Sequence, residues 1–150
     1  MESLFLTPAQ FSQHMTKAAA AVPRLLAAAE AVTLQEAKAL AITLSSGTLT
    51  TAELRRRGHP YARRNPTSSS PEIINSQSGV FRASFLTPAP VIGPDGTTAC
   101  VVNVALYSGY LAAGTRLMIA RPLPQAVQVA VRARRLARTA GAIRSAFLSP

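Results

Sequence analysis

Two histidines, six acidic side chains and one cysteine are all that the sequence offers for proton transfer, metal binding or nucleophilic attack. A metal site needs three or four converging ligands, and a general acid or base needs a positioned partner. His14 lies beside an apolar helical stripe and His59 in Gly58-His59-Pro60-Tyr61, and neither has a second ligand at useful spacing. Cys100 alone makes no intramolecular disulfide and no multi-thiolate site, and a single thiol fits a reducing compartment. No glycine-rich phosphate loop follows a strand, and no Gly-x-Ser-x-Gly elbow occurs. These residues predict no enzyme, no catalytic residue, no metal and no cofactor.

Arginine is the reactive surface the chain does carry. Sixteen basic residues, 14 of them arginine, stand against six acids for a net charge of +10. The planar guanidinium fork suits phosphate and carboxylate alike. Residues 1–53 sum to −1 and residues 54–150 to +11, so the whole excess lies in the last two thirds. One block is Arg55, Arg56, Arg57, Arg63 and Arg64; the other includes Arg134, Arg135 and Arg138, flanked by Arg132 and Arg144. Such blocks could contact phosphates with a steep salt dependence, but Tyr61 is the one aromatic nearby, which leaves base stacking without support. Charge runs more often form a solvated or subunit-facing surface, and that reading is favoured over direct nucleic-acid binding.

The elements that must position these groups follow from period and punctuation. At 150 residues and 15.8 kDa the chain has the size of one domain. Alanine supplies 28 of its hydrophobic residues and tryptophan none, so a modest core with close helix contacts is expected. Thr7-Pro8-Ala9-Gln10 has the form of a capping box with proline at the first helical position. Phe11, Met15, Ala18 and Val22 then share a face. Pro23 predicts a break or kink, with a second helix over about 23–44 burying Leu25, Ala29, Val32 and Ala39 to Leu40; Glu36 falls on that same face, as a tolerated edge position or a paired carboxylate, the former favoured. Ser45-Ser46-Gly47 ends it. Thr50-Thr51-Ala52-Glu53 repeats the capping pattern before Gly58, and residues 58–72 read as a long exposed loop.

From Val80 the period changes to two. Phe81, Ala83 and Phe85, and then Cys100, Val102 and Val104, predict two antiparallel strands joined through the turn Gly93-Pro94-Asp95-Gly96. Tyr107 to Ala113 predicts a helical turn ended by Gly114, and Arg116 to Ala120 one more strand. Pro122 opens a C-terminal helix to about Phe147, with Val129, Leu136, Ala140, Ile143 and Phe147 as an apolar seam and Arg134, Arg135 and Arg138 on the opposite side. The expected fold is α+β: one domain over 1–150, with helices in 1–44, a loop-rich basic region in 45–79, a small antiparallel sheet in 80–120 and a long helix in 121–150. The sheet packs against the N-terminal helices and the C-terminal helix. The opening Met-Glu-Ser-Leu-Phe-Leu does not read as a secretory leader, and Pro23, Arg24 and Glu30 interrupt the alanine-rich stretch, so no membrane span is expected.

One string is more specific than any of these patterns. Tyr107-Ser108-Gly109-Tyr110-Leu111-Ala112-Ala113-Gly114-Thr115-Arg116-Leu117-Met118-Ile119-Ala120-Arg121-Pro122-Leu123-Pro124-Gln125-Ala126 resembles the late motif of the small neck and tail-completion proteins of long-tailed bacteriophages. There a tyrosine-led turn runs into Gly-Thr, a short strand, and Ala-Arg-Pro opening the last helix. Gln77-Ser78-Gly79-Val80-Phe81-Arg82-Ala83-Ser84 is similar to that family's Thr-Gly-x-Leu-Arg-x-Ser element. The resemblance spans about residues 9–135 and is weakest over 50–72. Ala112 and Ala113 stand where members often carry an acid before Gly-Thr, and Leu123 where they often carry an aromatic. The resemblance implies a structural virion protein of the head-tail junction, made in the host cytoplasm. It also implies a homo-oligomeric ring of six or twelve copies, with connector or stopper and tail-terminator or tail-tube proteins as neighbours and DNA passing through the lumen. Gly79, Tyr107, Gly114, Thr115, Ala120, Arg121 and Pro122 would be architectural in such a protein. The competing class is a basic module that coats nucleic acid.

Overall fold

A computed structural model of the chain describes residues 7–47, 56, 74, 79–93, 96–116 and 120–148. Its elements are α1 (Pro8–Leu44), α2 (Val80–Ala83), β1 (Phe85–Leu86), β2 (Val91–Gly93), β3 (Gly96–Thr98), β4 (Val102–Asn103), α3 (Ser108–Ala113) and α4 (Leu123–Leu148). The architecture is α+β, with two small antiparallel sheets beside two long helices. The chain divides into two compact units. The first comprises Met1–Thr33, Ala89–Ala99 and Ala133–Pro150, and the second Leu34–Pro88 and Cys100–Arg132.

In the first unit, the predicted capping box closes α1. The Thr7 N–H donates to Gln10 Oε1 at 2.8 Å, and the Gln10 N–H donates to Thr7 Oγ1 at 3.3 Å. Pro23 does not divide the helix, which runs through it for 37 residues. Proline removes one hydrogen bond, to the Ala19 carbonyl, and its fixed φ is already helical, so long flanks of good helix formers carry the turn across the gap. Here α1 runs antiparallel to α4, with His14 against Phe147 at one end and Glu30 against Arg135 towards the other. The hairpin forms as the turn sequence predicts, but its strands are the residues directly beside the turn. Val91 pairs with Thr98, Ile92 with Thr97 and Gly93 with Gly96, whose φ of 126° favours glycine. Pro94 and Asp95 lie outside the described residues.

The second unit holds the connected hydrophobic core. Ala37 and Ala41 of α1, Phe81, Phe85, Ala105, and Leu123, Val127 and Val131 of α4 are all buried in it, together with Ile74. Phe81 and Ala83 are not in a strand as their alternation suggested. Gly79, at φ 76°, turns the chain into the single helical turn α2, and the four-residue spacing of Phe81 and Phe85 sets both rings into the core. Only then does β1 pair antiparallel with β4, Phe85 opposite Asn103 and Leu86 opposite Val102. At the end of α1 the Ser45 and Ser46 hydroxyls donate back to the Ala41 and Ile42 carbonyls, and the Ile74 N–H donates to the Leu44 carbonyl at 2.8 Å.

The predicted inward faces are partly reversed. On α1, Ala18 is buried and Val22, Leu25, Ala29 and Leu40 are half-buried, while Phe11, Met15, Val32 and Ala39 are exposed. On α4 the proposed seam faces outward, with Val129 75% and Leu136 62% exposed, and the helix packs instead through Leu123, Val127 and Val131 in the second unit and Ala146 in the first. Both faces are apolar enough to satisfy a helical period, and period alone does not say which one meets the core. The predicted strand at 116–120 begins with Arg116 in a turn, and 117–119 lie outside the described residues. No helix among the described residues is long and apolar enough to cross a membrane.

Replacing Phe81 by alanine is expected to lower the unfolding free energy by about 3–5 kcal/mol in urea denaturation. Val129→Ala, on the exposed stripe of α4, is expected to change it by less than about 0.5 kcal/mol.

Candidate functional site

Within the second unit the two strings that carry the phage-family resemblance meet around one ring. Phe81 stands edge-on to Phe85 at 5.4 Å between centroids and lies against Tyr107 at 5.9 Å, tilted by 31°. Asn103 joins the strings through hydrogen bonds. Its Nδ2 donates to the Phe81 carbonyl at 2.8 Å, its Oδ1 accepts from the Ala105 N–H at 3.0 Å, and its own carbonyl accepts from the Ser108 hydroxyl at 3.3 Å. Tyr107 is the N-cap of α3, and Gly114, at φ 77°, closes it by donating to the Tyr110 carbonyl at 2.9 Å. The Arg121 N–H then donates to the Leu111 carbonyl at 2.8 Å, so the stretch that leads into α4 is tied to α3. Arg121 is buried, burial pushes its guanidinium below the ordinary arginine value, and it is not without a partner. Pro122 is half-buried one residue ahead of α4, Ala120 is exposed, and Thr115 follows the α3 terminus with a partner of its own.

Arg134, Arg135 and Arg138 of α4 lie in the first unit, where two of them meet side chains of α1. Arg135 Nε donates to Glu30 Oε1 at 2.8 Å, and Arg138 donates to the Thr33 hydroxyl at 3.3 Å. Glu30 is 5% exposed, whereas the Arg135 side chain remains 49% exposed, so the long stem lies on the helix and the charge reaches both the carboxylate and water. Arg134 is exposed and also engaged. Of the other block, Arg56 is helical and exposed and has a partner. Arg55, Arg57, Arg63 and Arg64 lie outside the described residues, as do the loop at 58–72, the capping pattern at Thr50–Glu53 and His59.

His14 places Nε2 2.8 Å from the Phe147 carbonyl, a link between two helices of the first unit. Among the described residues no three histidine, cysteine or acidic groups come close enough to hold a metal. Cys100 is exposed. Glu30 and Asn103 were not singled out from sequence. A signal existed for the first: Glu30 and Thr33, and Arg135 and Arg138, are polar pairs of equal spacing on otherwise small-residue helix faces. Asn103 carries no comparable mark, because its value lies in three neighbours that only the fold assembles. Compared with family models, curated proteins and solved structures, the chain matches none.

The ion pair predicts an asymmetry. Arg135→Ala strands a buried carboxylate and is expected to cost about 2 kcal/mol or more, whereas Glu30→Gln leaves a half-exposed guanidinium that water solvates and is expected to cost less. Denaturation of the two variants side by side checks the order.

Proposed function

We propose that this chain is a structural virion protein of the phage head-tail junction, a neck or tail-completion component whose copies form a ring joining the capsid connector to the tail around the DNA channel. The observation that carries the reading is the way the two resembling strings converge. Gly79 to Ser84 and Tyr107 to Leu123 are far apart in sequence, yet they share the Phe81, Asn103 and Tyr107 cluster and the core beneath it. Every motif residue with a described contact there shapes backbone or fills core, as a scaffold protein requires. Six or twelve copies, connector or stopper proteins on one side and tail-terminator or tail-tube proteins on the other complete the proposal, with synthesis in the host cytoplasm.

The rival basic module draws less support from the helix arginines, because Arg135 and Arg138 are engaged by α1 in the first unit. A salt titration separates the two. Phosphate binding weakens steeply and linearly on logarithmic axes, and a ring interface with an apolar centre does not.

Antibody labelling of purified particles, read by electron microscopy, is expected to mark the single vertex where tail meets head; particles that lack the protein would overturn the reading. In the same setting Arg55, Arg56, Arg57, Arg63 and Arg64 dock to an acidic ring or to DNA. Changing all five to serine is expected to leave the fold intact, by circular dichroism, and to stop assembly.

A further inference from the structure

The first unit has little core of its own. Among its described residues the buried apolar side chains are Ala18 and Ala146, while nine larger hydrophobic residues are exposed, among them Phe11 and Met15 on α1 and Leu136, Ile143 and Phe147 on α4. Soluble monomers seldom leave contiguous apolar patches uncovered, and those they do leave are mostly interaction sites. On α4 the exposed residues have a definite order. Leu136, Ala140, Ile143 and Phe147 follow one another at spacings of four, three and four, all exposed, which is the d-a-d-a run of a heptad repeat. The bond between His14 and the Phe147 carbonyl brings the part of α1 that carries Phe11 and Met15 to the same end of the seam.

We infer that this seam is covered by the same seam of a second copy of the chain, two α4 helices lying antiparallel. A d-a-d-a run read backwards is a-d-a-d, so the face is complementary to itself. Leu136 meets Phe147 of the partner subunit, and the small Ala140 meets the branched Ile143 of the partner subunit. The flanking positions favour a like copy over other occupants. Ala137 and Thr139 are uncharged, and Arg144 falls opposite Ala137 of the partner subunit, so no like charges meet. An acidic helix or an anionic lipid surface calls for a rim rich in cations. Arg135 and Arg138 are instead drawn to Glu30 and Thr33. The inference goes beyond the junction reading and does not rest on it. A pair formed this way covers the seam in the free protein, whatever assembly it later joins.

Sedimentation equilibrium of the full chain across a dilution series tests it. The wild type is expected to sediment as a dimer that dissociates on dilution. Leu136→Glu with Ile143→Glu is expected to raise the concentration of half-dissociation by more than about 100-fold, because the pairing would bury two carboxylates in each copy. Both positions are exposed in the single chain, so circular dichroism is expected to stay unchanged. An independent readout is Ala140→Cys in a Cys100→Ser background, which a short bismaleimide is expected to join between copies. A monomeric wild type, a dimer indifferent to both glutamates, or no joining at position 140 would each overturn the inference.

Discussion

Burying Phe81 is the demand around which the second unit is arranged. Its ring must leave water, but it sits on a helical turn of four residues, where its carbonyl takes only a 3.2 Å bond from the Ser84 N–H locally and calls for a second donor. The Asn103 amide from β4 meets that need by accepting the role of donor to the Phe81 carbonyl, while its oxygen receives the Ala105 N–H. This double commitment holds β4 beside β1, sets the direction in which the chain leaves the strand, and brings Tyr107 over the ring. The start of α4 follows, because Arg121 is tied to Leu111 and Leu123 enters the same core. Paired strands of two residues would not persist alone, and here the surrounding apolar packing supplies what their few hydrogen bonds cannot.

The first unit is held differently. Its buried apolar contacts among the described residues come from alanine, and one of its two buried polar residues is a carboxylate paired with arginine. Alanine permits close approach of two helices but buries little area, and a buried ion pair contributes direction more dependably than free energy. Specific pairing of α1 with α4 is therefore bought with charge and helix ends, and the larger hydrophobic residues are left facing out.

Local features of the chain were legible from the sequence where one residue type admits one backbone state. Thr7 and Gln10 close the capping box they spell, Gly114 ends α3, Pro122 stands just ahead of α4, and the glycines around Pro94 and Asp95 pair across a hairpin. What could not be read was direction. Two apolar stripes wind round α4, and the one with the larger side chains is the one left outside. An alternation of Phe81, Ala83 and Phe85 fits a strand as well as it fits a turn followed by a strand, and Gly79 decides between them through a left-handed conformation that the alternation does not encode. Pro23 costs α1 one bond, and the many bonds retained on either side carry the helix through it, which the proline alone does not disclose. Of the motif residues, Tyr107 stands against Phe81, and Gly114 and Arg121 bond to the carbonyls of the helix that Tyr107 caps, whereas the charge of the arginine blocks gives no sign that two members serve α1.

The retained Pro23 has a mechanical consequence. Along α1 each turn is normally held by overlapping hydrogen bonds, and the exposed Ala19 carbonyl lacks its partner four residues on. Water can take that carbonyl, so bending there costs less than in a turn with its full set of bonds. A load applied along α1 is taken up first at this compliant joint, among small side chains.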